Sequence, residues 1–126
     1  MGIFSGLMGN AGVVEPETLN DEYHKLLTES EHIEVGFKLV RDLFIFTNKR
    51  LILVNKQGVT GKKVEYLSLA YGSISRFSIE SNGTFDLDAE LKIWISSSPA
   101  PAVTQKFNKK VNIYAVQKTL ANYVLN

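Results

Sequence analysis

The chain has 126 residues, 44% of them hydrophobic, and a formal net charge of only +1 at pH 7. A chain of this size fits one domain that buries roughly two-thirds of its unfolded surface, so it needs no disulfide or metal to hold a core. There is no cysteine, which excludes disulfides, thiolate metal sites and thiol nucleophiles. No apolar run approaches the ~20 residues of a membrane-spanning helix, and we expect a cytoplasmic protein or one peripheral at a membrane.

The N-terminal region combines a tail with a short helix. Residues 1–14 are apolar and glycine-rich but lack the basic region of a secretory signal, which predicts a loosely ordered tail followed by a single domain over residues 15–126. Helical spacing then predicts an amphipathic helix that ends near Ser30 and has Thr18 or Asn20 as its N-cap. Its apolar residues are Leu19, Tyr23, Leu26 and Leu27.

Apolar runs between turn signals predict seven strands. They lie near residues 34–39, 43–47, 50–55, 63–69, 74–80, 85–95 and 103–107. Two of the three prolines fall in residues 96–102, which predicts a loop before the seventh strand.

The second and third strands are apolar on both faces. Pairing them across Asn48 and Lys49 matches Phe44 with Leu53 and Phe46 with Leu51 on one face. In a hairpin with one solvent-exposed face, apolar and polar residues would alternate along each strand. Because they do not alternate here, either the N-terminal helix or another subunit must cover the second face. The residues of that second face are candidates for an oligomer interface: Leu43, Ile45, Ile52 and Val54.

The sixth strand carries a row of acids and an unexpected aromatic. Its polar face holds Asp86, Asp88, Glu90, Lys92 and Trp94, and the indole indicates either packing within the chain or a subunit interface. We therefore add Asp86, Asp88, Glu90 and Trp94 to the interface candidates.

The connection before the sixth strand must be longer than a tight turn. A two-residue turn at Asn82 and Gly83 would place Phe77 beside Asp88, an apolar residue against a carboxylate. We therefore predict a connection of odd length or with a bulge, and a positive φ at Gly83.

A final amphipathic helix is predicted from about residue 111 to 125, with Asn112 as its N-cap. Lys118, Thr119 and Asn122 lie on the polar side of this helix. Its core-facing stripe comprises Ile113, Val116, Leu120, Tyr123 and Val124. A series of strands closed by one helix predicts a mainly β protein with α-helices, a small antiparallel barrel plugged at its C-terminus.

Charges are segregated along the chain. Residues 15–34 contain seven acids and one lysine, whereas residues 38–63 contain seven bases and one aspartate. Such segments complement each other within the fold, bind each other between subunits, or bind separate partners. The candidates for contact with an anionic ligand are Lys38, Arg41, Lys49, Arg50, Lys62 and Lys63.

Nothing in the sequence indicates catalysis. His24 and His32 lack metal-ligand spacing, and no nucleophile has an evident activating partner, so we expect no catalytic residue, metal or cofactor. The near-zero net charge argues against nucleic acid as a partner, and so does the lack of any one strand on which aromatics interleave with bases.

Three segments resemble the bacterial pleckstrin-homology (PH-like) domain family: RDLFIFTNKRLILV (41–54), KQGVTGKKVEYLS (56–68) and GTFDLDAELKIWI (83–95). With the first eleven residues and the final helix, the resemblance covers essentially the whole chain. It implies a PH-like, seven-stranded bent antiparallel barrel capped by a C-terminal helix, no known enzymatic activity, and self-assembly into cyclic homo-oligomers of about five subunits.

The resulting interpretation is a non-enzymatic interaction or assembly module with an unidentified protein partner. The alternative is a peripheral binder of anionic lipid headgroups at a membrane surface. Eukaryotic PH domains that bind phosphoinositides use basic residues on the first hairpin. This chain has Lys38 and Arg41 there, but Leu43 stands where those domains have an arginine, which is a departure from the phosphoinositide-binding pattern.

Overall fold

Strands dominate the described part of the chain, and a helix lies towards each end of the sequence. The computed structural model describes residues 12–39, 41–60, 62–81, 88–108 and 111–125. The chain comprises two compact units, and the boundary between them falls after Leu69.

The first unit is built on a sheet with strand order β1-β2-β3-β4-β5. Its elements are β1 (Val13–Val14), α1 (Pro16–Tyr23), a 3-10 turn (His24–Leu26), β2 (Ile33–Lys38), β3 (Leu43–Thr47), β4 (Arg50–Gln57) and β5 (Lys63–Ala70). The pairs β1–β2, β2–β3 and β3–β4 are all antiparallel.

The predicted hairpin register is confirmed. Phe44 pairs with Leu53 and Phe46 with Leu51, while Leu43 and Ile45 pair with Val54 and Ile52. The two-residue connection between β3 and β4 fixes this register, and a slip by one residue would exchange the two faces.

Helix α1 covers the second face of the hairpin. Leu19 and Tyr23 form one buried cluster with Ile33 and the four second-face residues Leu43, Ile45, Ile52 and Val54. Gly36 permits this packing, because a Cβ atom at that position would overlap Leu19 Cδ1. The chain thus supplies its own cover for this face.

The N-terminal boundaries differ from the predicted ones. Val13–Val14, expected in the tail, form β1 and pair with Phe37 and Gly36. Helix α1 begins at Pro16, because proline suits the first turn of a helix, so neither Thr18 nor Asn20 is an N-cap. Residues 1–11 of the predicted tail lie outside the described residues.

The second unit contains a sheet of order β6-β7-β8 and a helix. A 3-10 turn (Tyr71–Ser73) precedes β6 (Ile74–Ser81), β7 (Asp88–Ile95), β8 (Val103–Asn108) and α2 (Ile113–Val124). Both strand pairs are antiparallel.

The register of β6 and β7 confirms the predicted odd connection. Phe77 pairs with Ile93, and Ser81 pairs with Ala89, so that seven residues separate the last paired positions. Apolar residues thereby oppose each other as the alternation requires. The φ of Gly83 lies outside the described residues.

Helix α2 starts as predicted. The Asn112 side chain accepts hydrogen bonds from the backbone N–H groups of Tyr114 and Ala115. Lys118 and Asn122 are exposed, as expected. The assignment of Thr119 to the polar side was wrong: it is fully buried, and its hydroxyl donates to Ala115 O at 2.8 Å, which satisfies the buried group.

Candidate functional site

Five bases lie near one end of the first sheet, where the loops after β2 and β4 meet. Arg41 Nη2 donates to Gly58 O at 2.6 Å, and Lys56 N donates to Asp42 Oδ1 at 3.0 Å, which joins the two loops. Four of the bases are exposed and Lys56 is half-buried. We call this region the basic end; its bases are Lys38, Arg41, Lys56, Lys62 and Lys63.

An apolar residue lies at the tip of the basic end. Val59 is 102% exposed and follows Gly58, whose positive φ of 81° allows the sharp turn. A fully exposed valine among cations has no partner in the described part of its own chain.

The six predicted ligand-binding bases are not brought together. Lys49 and Arg50 lie at the β3–β4 turn, whereas Lys38, Arg41, Lys62 and Lys63 lie at the basic end. Strand β3 lies between the two groups, and its four steps from Leu43 to Thr47 alone span roughly 13 Å at about 3.3 Å per residue. We call the end that contains residues 48 and 49 the turn end.

Arg50 is occupied by a buried carboxylate. Its Nε donates to Glu31 Oε2 at 2.8 Å and its Nη2 donates to Glu31 Oε1 at 3.0 Å. Nη2 also donates to Leu26 O at 2.6 Å, and Nη1 donates to Ser68 Oγ at 2.9 Å. Arg50 therefore joins the segment after α1, the hairpin and β5, and its donors are not available to an anionic ligand.

Further hydrogen bonds complete the Glu31 site. Thr47 Oγ1 donates to Glu31 Oε2 at 2.7 Å, and Thr28 N donates to Oε1 at 3.0 Å. Burial raises the pKa of Glu31, but the hydrogen bonds from Arg50, Thr47 and Thr28 and the charge of Arg50 outweigh it and lower the pKa from 4.5 to about 2. Sequence reasoning missed this network because its partners are up to 19 residues apart with no shared local pattern.

The acids of the N-terminal region extend away from the basic end. Helix α1 follows β1 beside the middle of β2, and the segment after it reaches the turn end, where Leu26 O contacts Arg50. Five of these acids are exposed and form what we call the acidic segment: Glu15, Glu17, Asp21, Glu22 and Glu29.

The apolar interface candidates lie inside the first unit. Leu43, Ile45, Ile52 and Val54 are at most 6% exposed and pack under α1. The reason for assigning them to a subunit interface, an uncovered second face, therefore does not apply.

Glu90 and Trp94 lie on one face of the second sheet, whose cross-strand pairs place eight residues together. We call it the polar face; it comprises Arg76, Ser78, Glu80, Glu90, Lys92, Trp94, Thr104 and Lys106. The Arg76 guanidinium stacks 4.5 Å from the centroid of the half-buried Trp94 ring, whose Nε1 is buried without a hydrogen-bond acceptor among the described residues. Asp88 begins β7 opposite Asn108, and Asp86 lies outside the described residues.

The two histidines contact local groups. His24 Nδ1 lies 2.9 Å from Asn20 O, and His32 Nε2 lies 3.1 Å from Glu34 Oε2. Across the described ranges, no three His, Asp or Glu side chains group as a metal ion would require. No helix in these ranges is long and apolar enough to cross a membrane.

Comparisons with known proteins agree with this architecture. The crystal structure of a pleckstrin homology domain from Shewanella amazonensis SB2B matches with a TM-score of 0.85 and 46% identity, covering 99% of this chain and all of that one. A DUF1696 family protein with a pleckstrin-homology domain from Shewanella loihica PV-4 matches with a TM-score of 0.76 and 45% identity, covering 92% of this chain and 98% of the other.

A curated relative covers the same length. The uncharacterized protein YjqA of Bacillus subtilis (strain 168) is 55% identical over 121 residues, or 96% of this chain and 97% of its own. The family model for the bacterial PH domain matches residues 2–124. The predicted PH-like fold is confirmed, and the chain belongs to the bacterial PH domain family.

Proposed function

We propose that this chain is a non-enzymatic interaction module that self-associates, head to tail, into a ring-shaped homo-oligomer. One observation carries the proposal: a single sheet bears the basic end at one extremity and an acidic segment that leads to the other. A contact between two different patches generates a ring when the rotation closes. The family resemblance supports rings of about five subunits.

Electrostatics favours the contact between copies over a contact within one copy. The bases of the basic end and the acids of the acidic segment are mostly exposed, and no ion pair joins the two groups among the described residues. Opposite charges on separate surfaces attract a second molecule and fix its orientation. Two copies therefore join the acidic segment of one to the basic end of the next.

A non-catalytic role is supported by the residues with shifted pKa values. Glu31 is held by a structural network, and burial, followed by the charge of Glu22, raises the pKa of Tyr23 to about 12. Tyr23 packs edge-on against Tyr66 with ring centroids 6.5 Å apart, under the helix rather than in a cleft. Shifted groups at a catalytic site would converge on a substrate pocket.

Light scattering tests the assembly. We expect a molar mass several times the 14.1 kDa of one chain at low salt and a smaller mass near 1 M salt, where the screening length falls to about 3 Å. Lys62→Glu/Lys63→Glu should reduce the mass at low salt, because like charges then face each other.

The matched control is Lys49→Glu/Lys118→Glu, since neither lysine lies in the basic end or the acidic segment. It changes the charge equally, but both exposed lysines lie outside the basic end, so the mass should not fall. A 14.1 kDa monomer for the unmodified chain at micromolar concentration, or equal masses for the two double variants, would contradict the head-to-tail proposal.

A second candidate function is supported by Val59. An exposed apolar tip surrounded by lysines suits a peripheral contact with anionic lipid, since the valine enters the interface while the bases attract the headgroups. Of the six predicted ligand-binding bases, Lys38, Arg41, Lys62 and Lys63 remain candidates.

Sedimentation with vesicles tests this candidate. We expect binding to phosphatidylglycerol vesicles but not to phosphatidylcholine vesicles at low salt, and release at high salt. Val59→Asp should reduce the bound fraction severalfold, because the apolar tip is lost and a negative charge is added. Lys49→Gln, at the turn end, is the control, and equal pelleting of both variants would reject the basic end as the lipid contact.

A further inference from the structure

We propose that the polar face of the second sheet docks onto the same face of a second copy about a two-fold axis. In this contact, Arg76 of each copy meets Glu80 of the other. The inference rests on the proposed self-association and adds to the head-to-tail contact a second interface of different symmetry.

Arg76 is a positioned cation without an anion beside it among the described residues. Its guanidinium carbon lies over the Trp94 ring, 4.5 Å from the centroid, and this cation–π contact leaves guanidinium N–H donors available for a partner. The residue is exposed, and no acceptor for these donors is found in the ranges that the structure covers.

Glu80 is an anion beside another anion. It is exposed and lies directly opposite Glu90 on the neighbouring strand, an arrangement that destabilises a sheet. Lys92 Nζ lies 3.8 Å from Glu90 Oε1, whereas Glu80 has no cation beside it in the described part of the chain. A guanidinium from outside would relieve this repulsion.

The spacing makes the face complementary to itself. Ser78 lies midway between Arg76 and Glu80 on β6, each roughly 6.6 Å away along the strand. Consider a two-fold axis that lies in the plane of the interface, runs perpendicular to the strands and passes through Ser78. Rotation about this axis places Arg76 of each copy opposite Glu80 of the other, which gives two equivalent contacts. The same rotation brings Trp94 of one copy towards Glu90 of the other, because Trp94 pairs with Arg76 and Glu90 pairs with Glu80 within each sheet.

The indole gives the contact its apolar centre. Trp94 is half-buried, and tryptophan and arginine are among the residue types enriched at the energetic centres of interfaces. Its buried Nε1–H has no acceptor within the described ranges, and buried donors are rarely left so in a final arrangement.

A second copy fits this face better than a partner of one charge. The face has Arg76 and Trp94 at one end and Glu80 and Glu90 at the other, where Lys106 pairs with Glu90. The two-fold operation places the first pair opposite the second, and it brings Lys92 of the two copies towards each other near the axis, each 3.8 Å from the carboxylate of its own Glu90. A purely acidic or purely basic partner would leave one end repelled. Isologous contacts of this kind generate closed pairs.

Charge exchange tests the inference. We expect Arg76→Glu alone and Glu80→Arg alone each to halve the molar mass measured by light scattering, because a two-fold contact joins two equal bodies. An equimolar mixture of the two variants should regain the wild-type mass, since a chain with carboxylates at both positions then faces a chain with guanidinium groups at both. Rescue by mixing separates lost contacts from misfolding, and circular dichroism of each variant checks the fold.

The outcomes separate this inference from the proposed function. An oligomer whose mass is unchanged by both substitutions, or not restored by mixing, would overturn the two-fold contact and leave the head-to-tail ring standing. A ring that loses half its mass in either variant and regains it on mixing supports both. A monomeric wild-type chain at every concentration would reject both.

Discussion

Replacing Arg50 with methionine is expected to lower the free energy of unfolding by about 3 to 5 kcal/mol, the loss typical when one partner of a buried ion pair is removed. The Glu31 side chain is only 1% exposed, so its charge would remain buried with hydrogen bonds from Thr47 and Thr28 but no cation. The substitution also removes the link from Leu26 O to the hairpin. Urea unfolding followed by circular dichroism measures the effect.

Lys49→Met is the matched control, because Lys49 is exposed and adjacent. A surface change of this kind is expected to shift stability by less than about 0.5 kcal/mol. Restoring charge balance with Glu31→Gln/Arg50→Met should recover part of the loss. Similar unfolding midpoints for Arg50→Met and Lys49→Met would contradict the stabilising role of the ion pair.

The pH dependence of stability checks the same ion pair. The pKa of Glu31 is about 2 in the fold against 4.5 for the free side chain, so the unfolded state binds the proton more readily. The contribution of Glu31 to the free energy of unfolding is present above pH 4.5 and is lost as the pH falls towards 2. The loss is about 3 kcal/mol, since each unit of difference in pKa corresponds to 1.36 kcal/mol. Glu31→Gln should flatten this part of the acid unfolding curve.

Leu120→Ala is expected to lower the free energy of unfolding by about 2 to 5 kcal/mol through lost burial and a residual cavity. Leu120 is fully buried at the middle of the apolar stripe of α2. The control is Lys118→Ala, an exposed position on the same helix where alanine is a good helix former. Thr119→Ala is unsuitable as a control, because Thr119 is itself buried and hydrogen-bonded. Equal unfolding midpoints for Leu120→Ala and Lys118→Ala would mean that the helix packs through another face.

Local patterns in the sequence determined the elements and much of their pairing. The parity of apolar residues and a two-residue turn specify the β3–β4 register, and the need to keep Phe77 away from Asp88 specifies an odd connection before β7. Asn112 was identifiable as a helix cap because capping depends on a side chain and the next three residues. These features involve residues close in the chain, where spacing alone fixes geometry.

Only the tertiary structure decided what covers the hairpin and which bases act together. Helix α1 packs on the second face because Gly36 leaves room for Leu19, a contact between residues 17 positions apart. Arg50 and Lys49 resemble the other bases in sequence, yet an intervening strand carries them to the opposite end of the sheet, where Glu31 captures Arg50. Sequence patterns report the face on which a residue lies, whereas burial and pairing of charges depend on elements that meet only after the chain folds.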